Sequence, residues 1–195
     1  MVLPAGVLPV VVFGDSFTAG SPMSSRTWAD VLARRHRWRL IDAAAGGSGF
    51  LVAGLAVPIP LRVEQVLPAH PDARLVIIAG GHNDLVVGGL PAAIGEALGA
   101  AVRLVGELAP TARIVVISTL PSAPAQTDDL VLRDVQRQTA AALGVRFLDA
   151  TGWLETVDLD DVIGTDAIHP TDRGHELLAD VIERGLLDLG VPLDG

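Results

Sequence analysis

The chain has 195 residues, 50% of them hydrophobic and 19% charged, with a formal net charge of −9. That length and apolar fraction are enough for a substantial core and exclude a disordered chain, and the acidity disfavours nucleic acid and anionic membrane surfaces as partners. Cys, Lys and Tyr are absent, which excludes thiol nucleophiles, thiolate zinc sites, disulfides, Schiff-base chemistry, a Walker A lysine and a tyrosine base.

Short apolar runs alternate with longer helical stretches. The first strand is expected at Leu8–Phe13, an unbroken apolar run of the kind buried on both faces. A helix over Trp28–Arg35 follows, with Arg34, Arg35, His36, Arg37 and Arg39 decorating its end, where cations complement the helix dipole. The second strand is expected at Arg39–Ala43, then a glycine-rich loop, then a short helix over Leu61–Leu67. The third strand, Arg74–Ala79, runs into Gly80-Gly81. Pro91 starts and Pro110 follows an Ala-rich helix over Pro91–Leu108. The fourth strand is Arg113–Ser118, the next helix Asp129–Leu143, the fifth strand Val145–Asp149. An irregular stretch to Ile168 precedes a last helix over Thr171–Leu189. Five strands alternating with helices call for a parallel sheet covered on both faces, within a single domain over residues 1–195. In such sheets ligands sit beyond the carboxyl ends of the strands.

Three of those strand ends carry reactive groups. After the first strand, Ser16 in Gly14-Asp15-Ser16 fits either an exposed nucleophile or a helix cap. After the third, Asn83 in Gly81-His82-Asn83-Asp84 fits either a donor to an oxyanion or a turn residue. It is the sole Asn of the chain. After the fifth, Asp166-Ala167-Ile168-His169-Pro170 puts a carboxylate three residues before a histidine. It can accept the Nδ1 proton and leave Nε2 as a base, or both can be plain turn residues.

In combination and in this order, the blocks resemble the SGNH hydrolases, the GDSL-type esterases and lipases, over Gly14 to Pro170. The resemblance implies a flavodoxin-like three-layer α/β/α sandwich with a parallel sheet of order 2-1-3-4-5. It implies a serine esterase with Ser16 as nucleophile, His169 as base and Asp166 as its orienting carboxylate, needing no metal and no organic cofactor. The oxyanion hole would comprise the N–H groups of Ser16 and Gly47 and the Asn83 amide. The second block is the loosest: Asp42 stands where the family usually has Asn, and Gly46 and Gly49 compete with Gly47. Asp15 and Asp84 are expected to brace their loops.

The substrate is expected to be a small ester with a short acyl or acetyl group. His82, Phe50 and Leu85 are the residues offered to contact it, the apolar stretch Phe50–Leu61 either lining an acyl pocket or packing a helix onto the sheet. Acyl transfer to an alcohol and thioester hydrolysis use the same triad and remain alternatives, as does a non-catalytic binding module. His36 and His70 are expected at the surface. No apolar run reaches the about 20 residues of a membrane-spanning helix. Met1–Pro9 lacks a positively charged leader region, so the chain reads as cytoplasmic.

Overall fold

Residues 7–195 are described by a computed structural model; residues 1–6, most of the stretch read above as lacking a leader, lie outside it. Its five strands are β1 (Leu8–Phe13), β2 (Trp38–Asp42), β3 (Leu75–Ala79), β4 (Arg113–Ile117) and β5 (Arg146–Leu148). All pair in parallel, in the order β2-β1-β3-β4-β5. The helices are α1 (Ser16–Ala19), α2 (Trp28–Arg35), α3 (Ile59–Val66), α4 (His82–Val86), α5 (Pro91–Leu108), α6 (Thr127–Ala142), α7 (Leu159–Val162) and α8 (Asp172–Asp188).

The alternation of side chains along a strand divides the core in two. Val10 and Val12 of β1 join Trp28 and Leu32 of α2 and Leu178 and Ile182 of α8. Val11 and Phe13 face the other way, onto Val63 of α3, Leu98 of α5 and Leu132 of α6. Each fully buried aliphatic chain stabilises the fold by about 1.5–3 kcal/mol, so β1 and β3, apolar on both faces, are the sheet's natural centre. The chain winds from β1 outward to β2, then crosses back to β3 on the other side of β1. The crevice this reversal opens, at the carboxyl ends of β1 and β3, receives the residues that follow each strand.

Most expected elements lie within two residues of their observed bounds. Helices α1, α4 and α7 leave no periodic signal in the sequence, being only four or five residues each. His36 is not a free surface residue: its ring stacks on Trp38 at 6.2 Å and its Nε2 meets Glu183 Oε1 at 2.5 Å. The neighbouring Arg35 also binds Asp180 and Glu183, so these two residues of the basic cluster fasten α2 to α8, while Arg39 pairs with Asp72.

His175 of α8 is wholly buried against α2, where its Nδ1 accepts the Trp28 N–H at 3.2 Å. Burial pushes its pKa down to about 4. The unfolded chain therefore takes up this proton first, and stability falls as pH drops from about 6.5 towards 4. Urea unfolding of the wild type at pH 7 and pH 4 should show about 3 kcal/mol lost through this group. His175→Asn, which keeps an acceptor for Trp28, should remove that part of the acid dependence.

Candidate active site

The loop after β1 turns on Asp15. Its buried carboxylate caps α1, accepting the Phe17 N–H at 2.9 Å. Desolvation pushes the Asp15 carboxyl up to about 6. The cap starts the helix at Ser16 and leaves the hydroxyl at the sheet's carboxyl edge. The Ser16 N–H has no acceptor among the described residues.

His169 arrives from the far end of the chain. An antiparallel bridge between Ile163 and Pro170 closes the loop before α8, with Gly164 N donating to His169 O at 2.8 Å. Ala167 takes a left-handed conformation, φ 58°, at the turn's tip, a strained position for a residue with a Cβ. The turn folds Asp166 back under the imidazole. Its Oδ1 accepts the backbone N–H groups of His169 and Ile168, at 2.9 and 3.0 Å. Its Oδ2 lies 2.6 Å from His169 Nδ1. The His169 N–H, then its ring, hold the Asp166 carboxyl down at about 2, so it stays ionised. His169 Nε2 in turn lies 2.9 Å from Ser16 Oγ.

Asn83 stands in the first turn of α4, entered through Gly81 at φ 115°. Its Nδ2 donates to the Ser48 carbonyl at 2.9 Å, which fixes the amide and leaves a second N–H free to donate. The neighbouring Asp84 is wholly buried and grips the glycine-rich loop. Its carboxylate accepts the N–H groups of Phe50, Leu51 and Val52 at 2.7, 2.8 and 3.1 Å. Gly49 must be glycine because a Cβ there would sit 2.3 Å from Asp84 Oδ2. The Gly49 N–H is itself engaged within the loop, donating to the Val52 carbonyl at 2.9 Å. Gly46 and Gly47 both border the cleft at Ser16, and neither N–H has an acceptor among the described residues. Gly54, φ 60°, lies against this pair so closely that a Cβ would meet Gly47 C at 2.3 Å.

The cleft holds about 320 Å3 between Ser16, His169, Pro22, Gly46, Gly47 and Leu55. Its outer wall, the loop from Gly20 to Thr27, is stapled to the start of α8. Ser25 N and Oγ donate to Asp172 at 2.7 and 2.8 Å, and Arg26 pairs with Glu176.

Of the side chains offered as substrate contacts, Phe50 is displaced. Its ring is 2% exposed in the α3–α5 core, because Asp84 draws the backbone of residues 50–52 inward. Leu85 packs partly into the same core. His82 lies edge-on to Phe17 at 5.9 Å, its pKa lowered by burial, and does not border this cleft. The apolar residues at the cleft are Pro22 and Leu55, the latter 89% exposed yet held beside Gly46 by its N–H on the Gly46 carbonyl at 2.9 Å. Two further residues that belong to no motif shape the site. Gln136 of α6 ties the ends of β3 and β4 together, donating to Gly80 O and accepting from Thr119 N, both at 2.9 Å. Arg62 sits at 6% exposure on the buried side of α3, and its signal was a charge at a position where the helical pattern of Ile59, Val63 and Val66 calls for an apolar residue. No group of three or more His, Asp or Glu side chains suited to a metal occurs among the described residues.

The family model of the GDSL-like lipases and acylhydrolases matches residues 12–177. The chain belongs to this family. A GDSL lipase of Mycobacterium tuberculosis, Rv0518, is 35% identical over 193 residues, which cover 89% of this chain and 79% of that protein. Among solved structures, TesA superposes with a TM-score of 0.77 at 21% identity, over 93% of this chain and 99% of its own. Est24, a carbohydrate acetylesterase from Sinorhizobium meliloti, gives 0.71 at 21% identity, over 93% and 99%. This GDSL-family chain is accordingly a carboxylic ester hydrolase on the three-layer α/β scaffold. No helix among its described residues is long and apolar enough to cross a membrane.

Asp84→Ala should leave three backbone N–H groups without their acceptor, that of Phe50 buried and those of Leu51 and Val52 partly so, and lower stability by about 3 kcal/mol. Urea unfolding beside the wild type measures it.

Proposed function

We propose that this protein hydrolyses small esters with short acyl groups through an acyl-serine intermediate. The observation that carries the reading is the continuous hydrogen-bonded line from Asp166 through His169 to Ser16. His169 Nε2 takes the Ser16 proton as Oγ attacks the acyl carbon, and the ionised Asp166 stabilises the imidazolium. The carbonyl oxygen gains the negative charge, which the N–H groups of Ser16 and Gly47 and the free Asn83 Nδ2–H stabilise. Gly47 is preferred to Gly46 because the Gly46 carbonyl already binds Leu55 N, fixing the peptide that carries the Gly47 N–H. The intermediate collapses as His169 protonates the departing alkoxide. Water then attacks the acyl-serine with His169 again as base, and the acid leaves.

The short-acyl reading rests on the modest, open cleft and its apolar border of Pro22 and Leu55. The likeness to a carbohydrate acetylesterase points the same way. p-Nitrophenyl esters from acetate to palmitate test it, with activity expected to peak at two to four carbons. A peak at long chains, or a thioester turned over faster than its oxygen ester, would replace this substrate class with a lipase or thioesterase. Ser16→Ala should abolish turnover. Asn83→Ala should lower kcat about 10²–10³-fold, and Asp166→Asn on the order of 10³–10⁴-fold. Full activity in Ser16→Ala would overturn the mechanism.

A further inference from the structure

Arg62 carries a charge into the interior without an ion pair: no carboxylate lies within salt-bridge distance among the described residues. Burial lowers its pKa, opposed by the charges of Asp15 and Asp42 further off. A buried guanidinium costs several kcal/mol unless its protons are well used. The Arg62 Nε is buried without a partner among the described residues, and the two Nη groups go to the loops that supply the site. Its Nη2 donates to the Gly14 carbonyl at 2.8 Å, two residues before Ser16. Its Nη1 donates to Ser48 Oγ at 2.9 Å, one residue after Gly47, and to Val57 O at 3.3 Å.

Both acceptors are junctions. The Gly14 carbonyl also takes the Ala45 N–H at 3.0 Å, which joins the nucleophile turn to the glycine loop. Ser48 Oγ passes its own proton to Ala45 O at 2.7 Å, and the Ser48 carbonyl holds Asn83 Nδ2 at 2.9 Å. One rigid, planar fork thus connects the peptides beside Ser16 and Gly47 and, through Ser48, the Asn83 amide. The three donors to the oxyanion otherwise come from three separate strand ends.

We infer that Arg62 is a positioning residue, which sets the register of Ser16, Gly47 and Asn83 against one another without touching substrate. The inference rests on the oxyanion assignment proposed above. A lysine, with one ammonium and no planar fork, cannot span the Gly14 carbonyl and Ser48 Oγ in the same geometry. Because an oxyanion hole acts on the transition state, its misalignment lowers kcat and leaves KM nearly alone.

The test is steady-state kinetics on p-nitrophenyl acetate for Arg62→Lys, Ser48→Ala and their double variant. Leu98→Ala, a core truncation in α5, serves as a control for lost stability alone. The wild type must first turn over and Ser16→Ala must not; failure there refutes the proposed Ser16-dependent hydrolysis of short acyl esters on which the inference rests. Given that, Arg62→Lys should lose about 10–10²-fold in kcat with KM changed less than threefold. Ser48→Ala should lose less, and the double variant no more than Arg62→Lys, since both cut the same connection. Arg62→Ala should regain part of its kcat in millimolar guanidinium, whereas Leu98→Ala should not respond. A folded Arg62→Lys with kcat within threefold of the wild type would overturn the inference, as would losses matched by Leu98→Ala at equal Tm. Should the Arg62 variants fail to fold, an unchanged kcat in Ser48→Ala overturns it.

Discussion

The hydrogen bond between His169 Nε2 and Ser16 Oγ, 2.9 Å long, joins residues 153 positions apart, and much of the fold can be understood as what keeps it short. Ser16 is fixed by β1, which is paired on both sides, and by the Asp15 cap. His169 is fixed by the bridge before α8 and by the Asp166 turn, whose left-handed Ala167 stores strain that only a well-anchored loop tolerates. The α2–α8 contacts, through Arg35, His36, Trp28 and His175, set the distance between those two supports.

The acidic groups divide by environment. Asp166 is half-exposed, collects N–H donors and stays ionised at a pKa of about 2. Asp15 is buried with one N–H donor and rises to about 6. Asp84 is as deeply buried but takes three N–H groups, which suits a carboxylate used as a structural anchor. The same side chain thus orients an imidazole, caps a turn and organises a loop, according to the donors and solvent around it.

The sheet was legible because β1 and β3 are unbroken apolar runs, which only a doubly covered strand accommodates. The candidate site was legible wherever its residues lie next to a strand end in short motifs, as Ser16, Asn83, Asp166 and His169 do. It was not legible where the determining contact is remote. Nothing near Phe50 reveals that Asp84, 34 residues on, pulls its backbone inward and leaves Leu55 at the cleft. Arg62 belongs to no motif, and its importance is apparent only once Gly14 and Ser48 converge on its guanidinium. Helices α1, α4 and α7 arise from caps and loop closure rather than from periodicity.

The central claim is that a nucleophilic Ser16 faces three converging N–H donors. The most direct measurement is the crystal structure of the protein after reaction with a small alkyl phosphonate ester, a mimic of the tetrahedral intermediate. The account predicts one phosphonate bonded to Ser16 Oγ, its oxygen about 3 Å from Ser16 N, Gly47 N and Asn83 Nδ2, with His169 Nε2 still beside Oγ. A label on another residue, or a phosphonyl oxygen turned away from Gly47 and Asn83, would contradict it.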